Sequence, residues 1–339
     1  VSVEPLPWEA PAVGAAVDIA GDLRWIRLPV PGPLQHINVW LAPGRRRRVL
    51  IDTGMNQPET HAAWDALALS ERLGEELEAI LVTHHHPDHF GMAANLAARF
   101  DVPVRMSGPA RAAAQLATAG ALAAGAEALA EYRDTWGVDF EVLLTRARAA
   151  GVYDRLVSGM PAPASFISEG ERIAELRDPW HASLHHGHAE GHVCLYWRQS
   201  NLLISGDQLL PAISSNVSLY PGAGSEDPLA DFLHSLERLA GLPDTTVVLP
   251  AHGRPFRGPA ARAAQLRAGH ELRLRTLRDF AAQPRGTAEI VGALFGARNL
   301  EGWNSVLAYG ETLAHIRYLQ LRGGLTRLGA GAEVRWLRA

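Results

Sequence analysis

Four side chains able to hold a metal ion, His84, His86, Asp88 and His89, fall within the seven-residue run Thr83-His84-His85-His86-Pro87-Asp88-His89. Imidazole and carboxylate donors of this kind suit a divalent transition metal such as zinc, and iron or manganese can occupy the same set. Three later residues complete a larger set. His188 stands in Gly187-His188-Ala189-Glu190-Gly191-His192, Asp207 closes Leu202-Leu203-Ile204-Ser205-Gly206-Asp207, and His252 follows Val247-Val248-Leu249-Pro250-Ala251. His185, His186 and His192 compete with His188 for its place. Seven nitrogen and oxygen donors suit two ions, and a carboxylate shared between the ions lets both hold one water. Zinc lowers the pKa of bound water from ~15.7 to roughly 7, so a bridging hydroxide is available without a strong base. The chemistry this points to is hydrolysis. Asp88 has a second expected task, orienting that nucleophile and carrying a proton to the leaving group.

The elements around these residues explain how they could meet. Residues 79–82 read as a buried strand before the first cluster, and 90–100 as a helix after it. Short β-branched or aromatic runs at 23–28, 37–41, 48–51 and 102–106 read as strands, with a helix at 58–69. Residues 108–165 change character: alanine-rich 110–130, then 131–136 and 140–150, read as a helical insertion. It serves either as a lid carrying Tyr132, Trp136 and Phe140 or as extra packing. Strands are expected again at 172–177, 193–197, 202–204 and 246–249, and an amphipathic helix at 227–239. His188, Asp207 and His252 therefore all sit where a strand begins or ends, and strand ends on one edge of a sheet converge. After residue 259 come helices at 260–282, 287–295 and 312–322, with Thr287 in a capping place, and a hairpin of 325–328 and 333–337. Three helices and a small hairpin resemble a winged-helix module.

The ordered combination His-x-His-x-Asp-His, Gly-His, Gly-Asp and an apolar strand ending in His resembles the metallo-β-lactamase superfamily of dinuclear hydrolases. The resemblance covers roughly residues 20–258. It implies an α/β fold, a four-layer αββα sandwich with the site at one edge, carrying here the helical insertion and a C-terminal helical, winged-helix-like domain. The expected domains are 1–258 (insertion about 108–165) and 259–339. It implies His84, His86 and His188 on one metal, Asp88, His89 and His252 on the other, Asp207 as the bridge, and Asp52 as a structural support. The pattern favours His188 over its neighbours, His192 being a common second histidine packed beside the site. Two lactamase groups of the superfamily use a cysteine ligand. The lone Cys194 lies on the strand after His188, well before Asp207, and reads as a buried core residue. The third lactamase group generally lacks the bridging aspartate, so antibiotic cleavage is disfavoured. Asp207 instead resembles glyoxalase II, lactonases, alkylsulfatase-like proteins and the ribonuclease branch. Glyoxalase II holds glutathione partly with lysine, and this chain contains none.

The expected activity is hydrolysis of a small-molecule thioester, ester or lactone. The alternative is a phosphodiesterase or endoribonuclease acting on RNA, favoured by the C-terminal module and by Arg262, Arg267, Arg273, Arg275 and Arg278 on one helix. Glu271 and Asp279 on the same helix weigh against it. A net charge of −4 supplies no global attraction to nucleic acid or anionic membrane. No stretch of ~18 apolar residues free of charge implies a membrane span. One cysteine and no visible secretory signal lead to a cytoplasmic expectation. Oligomeric state is not legible in the sequence. His36, His61, His181, His234, His270 and His315 have no partner pattern and read as solvated or core residues.

Overall fold

The computed structural model describes residues 2–118, 125–149, 155–162, 164–222, 224–296 and 300–339. Two six-stranded sheets form its centre. The first runs β2 (Ala16–Ala20), β3 (Leu23–Pro29), β4 (His36–Pro43), β5 (Arg48–Ile51), β6 (Leu77–Leu81), β7 (Val104–Arg105). The second runs β1 (Glu4–Pro5), β12 (Phe256–Arg257), β11 (Val247–Pro250), β10 (Leu202–Gly206), β9 (His192–Trp197), β8 (Trp180–His185). β5, β6 and β7 are parallel to one another, as are β10 and β11, and the other pairs are antiparallel.

Side-chain alternation along the strands builds the layers. On β4, Trp40 and Ala42 join the core between the sheets, whereas Ile37, Val39 and Leu41 face the other way. There they meet Trp64 and Leu67 of α1 (Pro58–Ser70) and Leu96 of α4 (Ala93–Phe100). In the second sheet Val193, Leu195, Leu202, Ile204, Val247 and Leu249 point inward. Cys194, Leu203 and Val248 point out toward Phe232 and Leu236 of α8 (Pro228–Ala240). The order is helix, sheet, sheet, helix, the αββα sandwich. Asn38 is buried between the sheets. Its Nδ2 donates to the carbonyls of Pro250 and Gly253, at 2.9 Å each, and its Oδ1 accepts from Trp25 Nε1 at 2.8 Å. A buried amide without these partners would be costly, so the contacts fix one sheet against the other.

The C-terminal part packs on the α8 side. It consists of α9 (Pro259–Phe280), α10 (Thr287–Phe295), α11 (Trp303–Leu321) and the hairpin β13 (Leu325–Leu328), β14 (Arg335–Arg338). The intervening segment supplies α5 (Gly108–Thr118), α6 (Gly125–Trp136) and α7 (Phe140–Ala149). Of the single helix expected over 110–130, residues 119–124 lie outside the described ones, as do residue 150 of the helix expected over 140–150 and residue 163. Trp136 and Phe140 are buried in the core shared with the C-terminal part. Trp136 stacks on Trp336 at 5.6 Å, Phe140 meets Tyr220 edge-on, and the Thr287 hydroxyl donates to the Trp136 carbonyl at 2.5 Å. These two rings pack the protein and do not hang over a cleft.

Three local expectations need correction. Residues 172–177 form no strand: Arg172 and Leu176 make isolated bridges only, while Ile173 and Leu176 bury as a connector, and the sheet's edge strand is β8. α11 begins at Trp303, not Thr312, because Gly310 does not interrupt it. That glycine lies where a Cβ would come within 2.6 Å of Tyr220 and 2.7 Å of the Ser218 hydroxyl, so it permits close packing. Thr287 is the first residue of α10 and not its cap. The Glu289 carboxylate instead accepts from the Gly286 N–H at 2.7 Å.

Candidate metal centre

All of the expected ligands except His188 lie at the carboxyl ends of parallel strands, where open α/β sheets place their ligands. β6 ends at Leu81, and its continuation carries Thr83 and His84; α3 (Pro87–Phe90), with Pro87 at its first position, presents Asp88 and His89. Asp207 follows β10, His252 follows β11, and His188 lies in the turn from β8 to β9. Gly206 before Asp207 has φ +51°, and a Cβ there would stand 2.6 Å from His192 Nε2. Only a glycine lets this turn close over the histidine.

The seven residues fall into two groups. Donor atoms of His84, His86, His188 and Asp207 lie within 4.8 Å of one another, as do those of Asp88, His89 and His252. In the first group His84 Nε2 is 2.9 Å from His86 Nδ1 and 3.3 Å from His188 Nε2. In the second, His252 Nε2 is 3.2 Å from Asp88 Oδ2. Asp207 faces both groups: Oδ2 is 3.6 Å from His188 Nε2, and Oδ1 is 3.5 Å from His89 Nε2 and from His252 Nε2.

Four of the five histidines have their outward ring nitrogen engaged. His89 Nδ1 donates to Asp52 Oδ2 at 2.8 Å, His188 Nδ1 to the Asn216 carbonyl at 2.8 Å, and His252 Nδ1 to the His36 carbonyl at 2.8 Å. Thr83 Oγ1 donates to Asp52 and so accepts from His84 Nδ1 at 3.1 Å. Each bond leaves the Nε2 lone pair facing inward, the tautomer a metal-ligating histidine needs. Inside, His89 Nε2, Asp207 Oδ1 and His252 Nε2 are buried with no hydrogen-bond partner. Buried polar atoms are seldom left so, and a pair of divalent ions fits the donor set.

The electrostatics agree. Burial would raise the carboxyls of Asp88 and Asp207, yet His89 and His252 hold both below the usual carboxylate range. Burial would lower His89 and His252, yet Asp207 with its neighbouring carboxylates raises His89 well above its ordinary value and His252 to about 9. The carboxylate charge that draws protons onto these rings also attracts cations.

His192 is differently employed. Its Nε2 accepts the Asp207 N–H at 3.1 Å, and its ring stacks on His84 at 4.7 Å. His185 bonds Ser183, and His186 pairs with Glu190 at 3.0 Å. Cys194 is fully buried, and burial pushes its thiol up. The supporting roles of Asn38, Asn216 and His36 were not read from the sequence. Asn38 carries a visible signal, a polar residue inside an apolar strand run. Asn216 and His36 act through backbone carbonyls, which leave no signature in residue type.

The metallo-β-lactamase superfamily model matches residues 32–252, and a metallo-β-lactamase-like C-terminal domain model matches residues 274–338. The chain belongs to the metallo-β-lactamase superfamily and is a metallo-hydrolase. It is 30% identical over 253 residues to a probable metallo-hydrolase, YqjP, of Bacillus subtilis, covering 69% of this chain and 72% of the relative. It is 29% identical to a hydroxyacylglutathione hydrolase of Pseudomonas entomophila, over 63% of this chain and 61% of that protein's length. An acyl-coenzyme A thioesterase, MBLAC2, of Gallus gallus is 29% identical over 70% of this chain and 80% of its own. The crystal structure of a β-lactamase domain protein from Burkholderia ambifaria matches with a TM-score of 0.88 and 32% identity, covering 99% of this chain and 98% of the other. No described helix is long and apolar enough to cross a membrane.

Proposed function

We propose that the chain hydrolyses small-molecule thioesters, with esters and lactones as related substrates, using two divalent ions, zinc foremost. His84, His86 and His188 would hold one ion and Asp88, His89 and His252 the other, with Asp207 serving both groups. The observation that carries this reading is the placement of Asp207, whose two oxygens face different groups. When bound, such ions make a nucleophile available near neutral pH and polarise the carbonyl under attack. The chain's own residues do the rest. Asp52, Asn216 and the His36 carbonyl fix the imidazoles. Asp88, buried 3.2 Å from His252 Nε2, takes the proton of the attacking water and passes it to the departing thiolate or alkoxide. The thioester choice rests on relatives named for thioester substrates at 29% identity.

The RNA reading loses part of its support in the arginines of α9. Arg262 donates to the carbonyls of Leu210 and Ile213, Arg267 to that of Leu233, and Arg273 pairs with Glu311. Those three serve the fold, leaving Arg275 and Arg278 exposed. The test is a panel of acyl-coenzyme A and acyl-glutathione thioesters, lactones, nitrocefin, bis-p-nitrophenyl phosphate and RNA, with elemental analysis alongside. Thioester cleavage is expected to exceed the rest. Cleavage of RNA with no carboxylic derivative turned over would overturn the proposal.

A further inference from the structure

Behind the candidate centre lies another gathering of donors, on the C-terminal helices. His270 of α9 and His315 of α11 meet with Nδ1 and Nε2 3.2 Å apart, and Glu311, one turn before His315, completes a group whose donor atoms lie within 4.8 Å of one another. All three side chains are buried. His315 Nδ1 donates to the Glu311 carbonyl at 2.7 Å, so its Nε2 presents a lone pair to the group. Glu311 Oε2 accepts from Asn216 Nδ2 at 3.0 Å, while Oε1 is buried with no hydrogen-bond partner. Arg273 Nε, 3.6 Å from Oε1, is its nearest cation and lies beyond hydrogen-bond reach. His270 Nε2 is likewise buried without a partner.

We propose that His270, Glu311 and His315 form a third site, for a structural divalent ion of the zinc type, distinct from the two groups at the sheet edges. Two imidazole nitrogens bound to one tetrahedral zinc at about 2.05 Å stand about 3.3 Å apart. The 3.2 Å between His270 and His315 matches this, as does the 3.3 Å between His84 and His188 in the first group. Nitrogen, nitrogen and carboxylate oxygen are donors zinc accepts, and a cavity of about 210 Å³ bordered by Asn216, Asn304, Leu307 and Glu311 gives room for water as the remaining ligand. Burial keeps both imidazoles neutral, His270 lowered to about 3 and His315 to about 4, and the ion would replace the hydrogen bond between His270 Nδ1 and His315 Nε2. The ion would tie α9 to α11. Through Glu311 and Asn216 it would also fix the carbonyl that orients His188.

The test is zinc content of the full chain, loaded by dialysis against excess Zn²⁺ and desalted, in the wild type and in Glu311→Gln and His270→Gln. The two variants lie on different helices, so a folding failure in one leaves the other informative. The wild type is expected to hold one more equivalent than each folded variant, a difference independent of how many ions occupy the sheet edges. A Co²⁺ titration of the wild type, followed by its visible bands, should saturate one equivalent later than that of folded His270→Gln. Equal zinc in wild type and a folded variant would overturn the proposal, and so would Co²⁺ saturation of the wild type at the same number of equivalents as a folded His270→Gln.

Discussion

Replacing Asp52 by asparagine should weaken metal binding without touching a ligand. Asp52 is 2% exposed and works in two directions. Oδ1 accepts the Thr83 N–H at 2.8 Å, and Oδ2 accepts His89 Nδ1–H at 2.8 Å. Asparagine has the same shape but only one acceptor oxygen. With that oxygen toward Thr83, the amide NH₂ confronts His89 Nδ1–H. His89 must then move its proton to Nε2, the atom that faces Asp207 and His252. With the oxygen toward His89, the NH₂ confronts the Thr83 N–H, and the strand end carrying His84 is strained instead. Either way one buried donor loses a charged partner, worth about 1.5–3 kcal/mol. At about 1.4 kcal/mol per decade, this is roughly a tenfold to hundredfold loss of affinity, the range seen for residues that orient metal-bound histidines. Competition against a chromophoric chelator measures it, with far-ultraviolet circular dichroism confirming the fold. Affinity within about twofold of the wild type in a folded Asp52→Asn would refute the claim that this carboxylate sets the His89 tautomer.

Asp88→Asn should lower kcat far more than bound metal, measured by steady-state kinetics and elemental analysis of one preparation. A parallel fall in both would reduce Asp88 to a ligand. Acid should destabilise the metal-free chain. Burial, the largest cause in each case, lowers His185 and His270 to about 3 and His315 to about 4, against 6.5 unfolded. The unfolded chain therefore takes up protons that the native one refuses. The stabilising effect is complete above about pH 6.5 and is lost as pH falls toward 4, by ~1.4 kcal/mol per pH unit for each excess proton. Urea unfolding from pH 7 to 4 should show this slope, shallower by about one proton in His185→Gln; identical slopes would contradict the assignment.

What the sequence disclosed depended on how far apart the cooperating residues are. The cluster from His84 to His89 is one turn of chain between a strand and a helix, and its spacing is visible without coordinates. The strands that became β3, β4, β5, β6, β9, β10 and β11 were legible because they are apolar and bounded by turn residues. The sandwich followed from the family resemblance, not from alternation alone. β8 was missed because His181, Ser183 and His185 interrupt its apolar character, whereas Ile173 and Leu176 in the connector imitate a strand. α11 was read short because a glycine in a helix normally weakens it, and only the neighbouring loop shows why this one is needed. His270 and His315 looked partnerless because 45 positions separate them along the chain. The spacing of Glu311 and His315 on one helix face was available as a signal, but its third member was not.

Each of the two donor groups at the sheet edges draws from both halves of the sandwich. His84, His86, Asp88 and His89 follow a strand of the first sheet, and His188, Asp207 and His252 belong to the second. Ions held there would act as rivets through the seam, and any opening of one half against the other would have to release them. Binding that only the closed form supports adds to its stability in proportion to the logarithm of the free ion concentration. A cell short of the metal would therefore lose more than catalytic turnover: the loosened seam would expose the polypeptide to proteases, and its abundance would track metal supply.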